Sequence, residues 1–330
     1  MSNYFAKFAA FGSYAPSKII TNQDLEKIVE TSDEWIRTRT GMVERHMASK
    51  EEAASDLAYF AALNAIESSN VRFKDIDLIV VATISGDHPF PSTACILQKR
   101  LGLKGIPAFD VSAGCTGFIY ACDVARQYVE NGAAKNILVV GVEILTKITN
   151  WTDRNTCVLF GDAAGAAVIS RTEPTDISRI IDAKIDADGS QGEYLMQAAG
   201  GSRLPASHET VDANQHTVYM EGNRIFKNAV KSMYASSDEL LKRNHLSALD
   251  VDWVIPHQAN LRIIEALADK MKIPISKVII NIHKYGNTSS ATVPLAIDEA
   301  VRAKKIRRGD IMLLTSFGAG LTWGSILARY

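Results

Sequence analysis

The chain has 330 residues, with 36 Lys and Arg against 37 Asp and Glu, for a formal net charge of −1. Apolar residues make up 47% and charged residues 22%, which gives enough apolar surface to bury a core and excludes an intrinsically disordered chain. The near-neutral balance argues against a global electrostatic grip on nucleic acid or anionic lipid, and the length implies about two domains or one large α/β unit.

Residues 1–13 have mixed polarity without the apolar core of a signal peptide, and no window holds the roughly 18 apolar residues a membrane span needs. Cys95, Cys115, Cys122 and Cys157 have no C-x-x-C spacing and are too sparse for a disulfide scaffold, so a reduced, cytoplasmic setting is expected. No His, Cys and carboxylate set stands at metal-ligand spacing, and no metal is expected.

In chain order, a helix-period stretch at 51–68 leads to the acidic turn Asp75-Ile76-Asp77 and an apolar strand. A second helix ends near Leu101 to Leu103, and the short strand Phe109-Asp110-Val111 runs into Ser112-Ala113-Gly114-Cys115-Thr116-Gly117. The apolar helix 118–130, the turn Asn131-Gly132 and the strand 136–140 follow, then the apolar strand 166–169. A polar, Gly-rich stretch at 186–216 reads as a surface excursion or a cover over a site.

The pattern then repeats. A helix at 224–243 precedes Asp250-Val251-Asp252 and a strand, and a helix ends near Met271 to Ile273. A strand at 280–282 runs into Tyr285-Gly286-Asn287-Thr288-Ser289-Ser290, the helix 292–303, the turn Arg308-Gly309 and the strand 310–315. Two β-α-β-α-β halves are expected, changing over near 170–176: residues 1–172 with the cysteine turn and 173–330 with the histidine and asparagine.

Cys115 sits between glycines where a strand turns into a helix, the arrangement that exposes a nucleophile beside free backbone N–H groups. A helix N-terminus favours thiolate, so its pKa is expected to fall. The plainer reading, a small buried hydrophobe, suits Cys95, Cys122 and Cys157 better. His257 follows an apolar strand, where α/β sheets place functional residues, yet a lone His is as often structural. His88 and His283 lie in loops and fit either reading. Asn287 reads as a turn Asn or as an amide donor. The Gly-rich end, Phe317 to Gly324, lets backbone approach a ligand closely, and no phosphate-loop pattern occurs in the chain.

Taken together, the sequence resembles the β-ketoacyl-[acyl-carrier-protein] synthase III family over essentially its whole length. The motifs are Thr31 to Gly41 (TSDEWIRTRTG), Ala113 to Phe118 (AGCTGF), Phe160 to Ala166 (FGDAAGA), His257 to Ile263 (HQANLRI), Gly286 to Ser290 (GNTSS) and the closing GAGLTWG. The resemblance implies an α/β thiolase fold whose duplicated halves form a five-layered α-β-α-β-α body. It also implies an acyltransferase: acyl-coenzyme A acylates Cys115, then decarboxylative condensation with malonyl-acyl-carrier protein yields a 3-ketoacyl product, with no metal or redox cofactor.

By the same resemblance His257 and Asn287 complete a Cys-His-Asn set, and the backbone N–H groups of Cys115 and Ala319 form the oxyanion hole. Ala319 stands where some relatives carry a third glycine. Trp35 would stack the adenine of coenzyme A with Arg154, and Thr31, Arg39, Gly222, Asn223, Phe226, Ala259 and Asn260 would line the tunnel. Lys227, Arg262 and Lys270 would dock an acidic acyl carrier protein, although Asp269 departs from relatives that have Lys. Phe90, Leu145 and Phe160 would shape the acyl pocket, Phe90 from across a homodimer interface. Without the family pattern, Trp35 and the basic residues read as ordinary surface groups. The rival readings are a same-fold enzyme of secondary metabolism making a ketide, quinolone-type or ester product, a non-catalytic scaffold, and a Cys-His-Asn hydrolase.

Overall fold

Strands with no polar face must be covered on both sides, and two sheets built this way organise the molecule. The computed structural model describes residues 4–330. The first sheet contains β1 (Phe5–Tyr14), β2 (Leu78–Ala82), β3 (Ala108–Val111), β4 (Asn136–Ile144) and β5 (Asp162–Thr172), in the spatial order β1-β5-β4-β2-β3. The second contains β6 (Arg179–Ala187), β7 (Trp253–Pro256), β8 (Ile311–Gly318) and β9 (Thr322–Arg329), in the order β7-β8-β9-β6.

Four strands of the first sheet have counterparts in the second. β2 pairs parallel with β4, and β4-β5 and β5-β1 are antiparallel; β7 pairs parallel with β8, and β8-β9 and β9-β6 are antiparallel. The counterpart of β3 shrinks to a single parallel bridge between Val254 and Val278. The strand expected at 280–282 does not form. The Gln258 side chain takes the Ile279 carbonyl at 3.1 Å and the Asn281 N–H at 3.1 Å, and Ile282–Tyr285 is a short helix.

Helices α1 (Ala54–Ser69) and α2 (Thr93–Arg100) cover the outer face of the first sheet, where alanines of α1 let it lie close against β1 and β5. Helix α3 (Gly117–Glu130) enters between the sheets. Helices α4 (Gly222–Arg243) and α5 (Leu261–Met271) cover the outer face of the second sheet, and α6 (Thr292–Arg302) joins α3 in the middle. The result is five layers, helix-sheet-helix-sheet-helix. The polar stretch after β6 is a cover: strands Leu195–Gln197 and Val218–Met220 pair as a hairpin whose Leu195, Met196 and Val218 line the central cavity.

Candidate active site

The cysteine turn leaves the end of β3, tightens into a single 3-10 turn at Gly114–Thr116 and continues as α3. It is stitched to the facing ends of β8 and β9. Ser316 Oγ donates to the Cys115 carbonyl at 2.7 Å, Thr322 Oγ1 donates to the Ala113 carbonyl at 2.8 Å, and Thr116 Oγ1 donates to the Thr322 carbonyl at 3.1 Å. Glycine is required on both sides of this contact. Gly114 has φ +52°, and a Cβ on it would stand 2.7 Å from the Ala319 nitrogen. The backbone N–H groups of Cys115 and Ala319 are thereby brought to the same end of the cavity.

His257 leaves the end of β7, its N–H bonded to the Thr315 carbonyl at 2.8 Å, and the residue is 3% exposed. Its Nδ1 meets Thr292 Oγ1 at 2.7 Å. Burial drives its pKa down to about 3, so the imidazole is neutral near pH 7. Asn287 is pinned by three contacts: its N–H to the Leu159 carbonyl at 2.9 Å, its carbonyl to the Gly161 N–H at 3.1 Å, and its Oδ1 to the Ser289 N–H at 2.9 Å. With Oδ1 taken, the amide group left for the cavity is the donor Nδ2.

Two residues beneath the thiol were not singled out from the sequence. Glu143, on β4, is fully buried and accepts from the Ile84 N–H at 3.1 Å, Thr83 Oγ1 at 3.3 Å, Ser85 Oγ at 2.5 Å, Ser289 Oγ at 3.1 Å and Ser290 Oγ at 3.0 Å. Ser289 also hydrogen-bonds the Cys115 thiol. The surrounding protein, with the Glu143 charge adding to it, pushes that thiol up to about 12. The expected fall in its pKa is therefore reversed: desolvation outweighs the helix terminus, and Cys115 rests as a thiol. A lone acid at the end of an otherwise apolar strand, Val139-Val140-Gly141-Val142-Glu143, was the signal for Glu143.

Cys115, His257, Asn287 and Ala319 line one cavity of about 700 Å³. Leu145, Phe160, Trp35, Arg39, Gly222, Asn223, Phe226, Ala259 and Asn260 also line it. Trp35 is positioned by the helix Asp33–Thr40, whose N-cap Ser32 accepts the Trp35 N–H at 3.1 Å. Lys227 and Arg262 are exposed cavity residues, and the Arg262 guanidinium lies 5.8 Å from the Phe226 ring.

Four candidate residues fall outside this lining. Lys270 sits on the outer face of α5 with its ammonium 4.9 Å from the Tyr234 ring. Thr31 keeps a buried hydroxyl without a partner. Arg154 borders a small neighbouring hollow, donates to the Glu30 carbonyl at 3.1 Å and packs 5.1 Å from the Trp35 ring. A ring sandwiched between that pair needs about 7 Å, so Arg154 must swing away to admit one. Phe90 is 85% exposed and does not reach the cavity of its own chain. Among the described residues no His, Cys and carboxylate group is placed to hold a metal, and no helix is long and apolar enough to cross a membrane.

Five alternating layers with a duplicated sheet, and a thiol, an imidazole and an amide drawn from both halves, define a thiolase-fold protein of the condensing-enzyme class. Residues 109–189 match the family model for 3-oxoacyl-[acyl-carrier-protein] synthase III, and residues 241–330 match the model for its C-terminal part. A β-ketoacyl-[acyl-carrier-protein] synthase III of Caldanaerobacter subterraneus is 54% identical, over 97% of this chain and 96% of its own. The crystal structure of 3-oxoacyl-[acyl-carrier-protein] synthase III from Aquifex aeolicus superposes with a TM-score of 0.91 at 46% identity, covering 98% of this chain and 100% of that one. The priming β-ketosynthase of the R1128 polyketide pathway gives 0.90 at 32% identity, covering 99% and 97%. The chain belongs to the β-ketoacyl-[acyl-carrier-protein] synthase III family.

Proposed function

We propose that this protein catalyses the initiating condensation of type II fatty-acid synthesis, with Cys115 as the acylated nucleophile. The observation that carries the reading is one cavity in which Cys115 from the first half faces His257 and Asn287 from the second, with Trp35 and Arg39 also in its lining. The Cys115 sulfur attacks the thioester carbonyl of an acyl-coenzyme A. The oxyanion is held by the N–H groups of Cys115 and Ala319, and coenzyme A leaves carrying the proton the thiol gave up. Malonyl-acyl-carrier protein then loses carbon dioxide, and the resulting enolate, held by His257 and Asn287, attacks the Cys115 thioester. The Cys115 carbon–sulfur bond breaks, the 3-ketoacyl carrier departs, and the released thiolate takes a proton from solvent to regenerate the thiol. No external electron acceptor enters these steps, so the reading includes no redox cofactor, and it gives the charge stabilisation to N–H donors in place of a metal, so EDTA should leave turnover unchanged.

The same reading assigns the nucleotide end of coenzyme A to Trp35, Arg39, Gly222, Asn223, Phe226, Ala259 and Asn260, with Thr31 and Arg154 nearby. It assigns the acidic carrier protein to Lys227 and Arg262, with Lys270 further out. Leu145 and Phe160 bound the acyl group. We further propose a homodimer in which Phe90, 85% exposed and close in sequence to the exposed Ile84, completes the partner's acyl pocket. The site of action is the cytoplasm, in keeping with four cysteines that form no disulfide.

Intact-protein mass spectrometry with a panel of acyl-coenzyme A donors tests the reading. One acyl mass should appear, be absent in Cys115→Ala, and clear on adding malonyl-acyl-carrier protein with release of a ketoacyl carrier. An adduct that forms but is not cleared by that carrier would favour the secondary-metabolism reading, which the 32%-identical polyketide priming enzyme keeps open. Absence of any adduct would refute the acyl-enzyme mechanism.

A further inference from the structure

Behind the cavity wall lies a charge that the proposed chemistry does not use. Arg45, on the short strand Glu44–Met47, is fully buried and does not line the cavity. Among the described residues no carboxylate forms an ion pair with it, and its Nε has no partner. Burial lowers its pKa to about 10, with Cys157 and Glu44 pulling less strongly the other way, so it keeps its proton near pH 7. A buried cation without an anion is costly, and only the hydrogen bonds it makes can offset that. The two it makes join separate parts of the site. Nη2 donates to the Val158 carbonyl at 2.5 Å, and Nη1 donates to Asn22 Oδ1 at 2.8 Å.

On the Val158 side, this contact sets the segment that anchors Asn287. The next carbonyl, of Leu159, accepts the Asn287 N–H, and Phe160 forms a parallel bridge with Asn287. The Arg45 stem lies against that bridge: a Cβ on Gly161 would stand 3.0 Å from the Arg45 Cβ, and one on Gly286 3.3 Å from it. On the Asn22 side, Nδ2 of that buried amide donates to Asp33 Oδ1 at 2.8 Å and to the Met42 carbonyl at 3.0 Å. Asp33 opens the helix that carries Trp35. We infer that Arg45 is a positioning residue: its guanidinium fork fixes the segment 158–161, and through it Asn287, against the Trp35 helix held by Asn22 and Asp33. A lysine would bring one strongly hydrated nitrogen and cannot present N–H groups in a rigid fork. The kinetic effects of the inference rest on reading the cavity as a condensing site; its structural effects do not.

The test compares Arg45→Lys and Asn22→Asp with the wild type, by hydrogen exchange read in a mass spectrometer and by the two half-reactions measured separately. Arg45→Lys should speed exchange about tenfold in 158–161 and 286–289, while β8 and β9 keep their protection. It should slow condensation with malonyl-acyl-carrier protein on the order of 100-fold, because Asn287 is displaced. Acylation of Cys115 by an acyl N-acetylcysteamine thioester should stay within about threefold of wild type. Asn22→Asp keeps the acceptor for Arg45 and loses the donor to Asp33. It should speed exchange only in 33–42 and raise the KM for acyl-coenzyme A about fivefold, with condensation unchanged. Normal condensation with unchanged exchange in Arg45→Lys overturns the inference, and so does equal loss of both half-reactions. If Arg45→Lys does not fold, Asn22→Asp decides: lost condensation, or an unchanged KM with unchanged exchange in 33–42, overturns the inference. Failure of the functional reading looks different: the wild type takes up no acyl group, while the exchange pattern still reports the geometry.

Discussion

A Cβ on Gly318 would stand 2.4 Å from the amide nitrogen of Cys115, so the final loop and the thiol's turn meet backbone to backbone. Nothing flexible lies between them to give way. Gly318→Ala should therefore push Ala319 out of line with Cys115, costing about 1–3 kcal/mol of stability. It should slow acylation on the order of 100-fold, the usual effect of losing one oxyanion donor. Rapid-quench mass spectrometry of the acyl-enzyme and a thermal melt measure the two effects, and Gly309→Ala, far from the site and with nothing near its missing Cβ, serves as control for backbone strain alone.

Glu143 binds five donors, Thr83 Oγ1, Ser85 Oγ, Ser289 Oγ, Ser290 Oγ and the Ile84 N–H, and its charge raises the Cys115 thiol. Glu143→Leu would orphan those donors at about 1–3 kcal/mol each and should not accumulate as folded protein. Glu143→Gln keeps the shape and removes the charge. It should fold, and alkylation of Cys115 by iodoacetamide, followed by peptide mass spectrometry, should set in at lower pH than in the wild type. The exposed Cys95 is an internal reference whose labelling should not change.

The depressed pKa of His257 predicts how stability depends on pH. The unfolded ring takes a proton near pH 6.5, and the folded ring resists it down to about 3. Between those limits the unfolded state binds more protons, so His257 contributes nothing to acid loss above pH 6.5 and costs stability as pH falls below it. Urea midpoints from pH 6.5 to 4.5 should fall more steeply in the wild type than in His257→Gln, by close to one proton, or about 1.4 kcal/mol per pH unit. Equal slopes would show that the ring is not held neutral by the fold.

Trp35→Ala should separate recognition of the nucleotide from chemistry. With acyl-coenzyme A the KM should rise about 10-fold at little change in kcat, the pattern of a lost uniform binding contact. With an acyl N-acetylcysteamine thioester, which has no nucleotide, both parameters should stay within twofold. A parallel loss with both donors would place Trp35 in the scaffold only.

The duplication was legible because the acidic turns have a structural job in both halves. Asp77 accepts the N–H groups of Lys135 and Asn136 at the start of β4, at 2.7 and 2.9 Å, and Asp252 accepts the Ile311 N–H at the start of β8, at 2.8 Å. Each fixes a strand beside its parallel neighbour, so the pattern is tied to the fold and repeats with it. Cys115 and His257 were readable for a related reason, since each stands just past the end of a strand, whereas Asn287 follows the short helix Ile282–Tyr285 and was readable from its motif. What escaped depends on side chains that meet only after folding. Gln258 replaces the ladder at Ile279 and Asn281, which removes a strand that the apolar run 278–282 resembles. Thr292 reads as the start of a helix, and its approach to His257, 35 residues earlier, leaves no local trace.

The stitching of Ser316 and Thr322 to the cysteine turn gives the chain a temporal order. A ribosome makes Cys115 long before it makes Ala319, and the contacts between them span about 200 residues of sequence. Until β8 and β9 have been synthesised and have paired, the thiol lacks its second backbone donor, its histidine has no Thr315 carbonyl to anchor it, and the middle of the molecule stays open. On the proposed acyl-enzyme mechanism, a nascent chain would stay silent toward coenzyme A thioesters until these two strands pair.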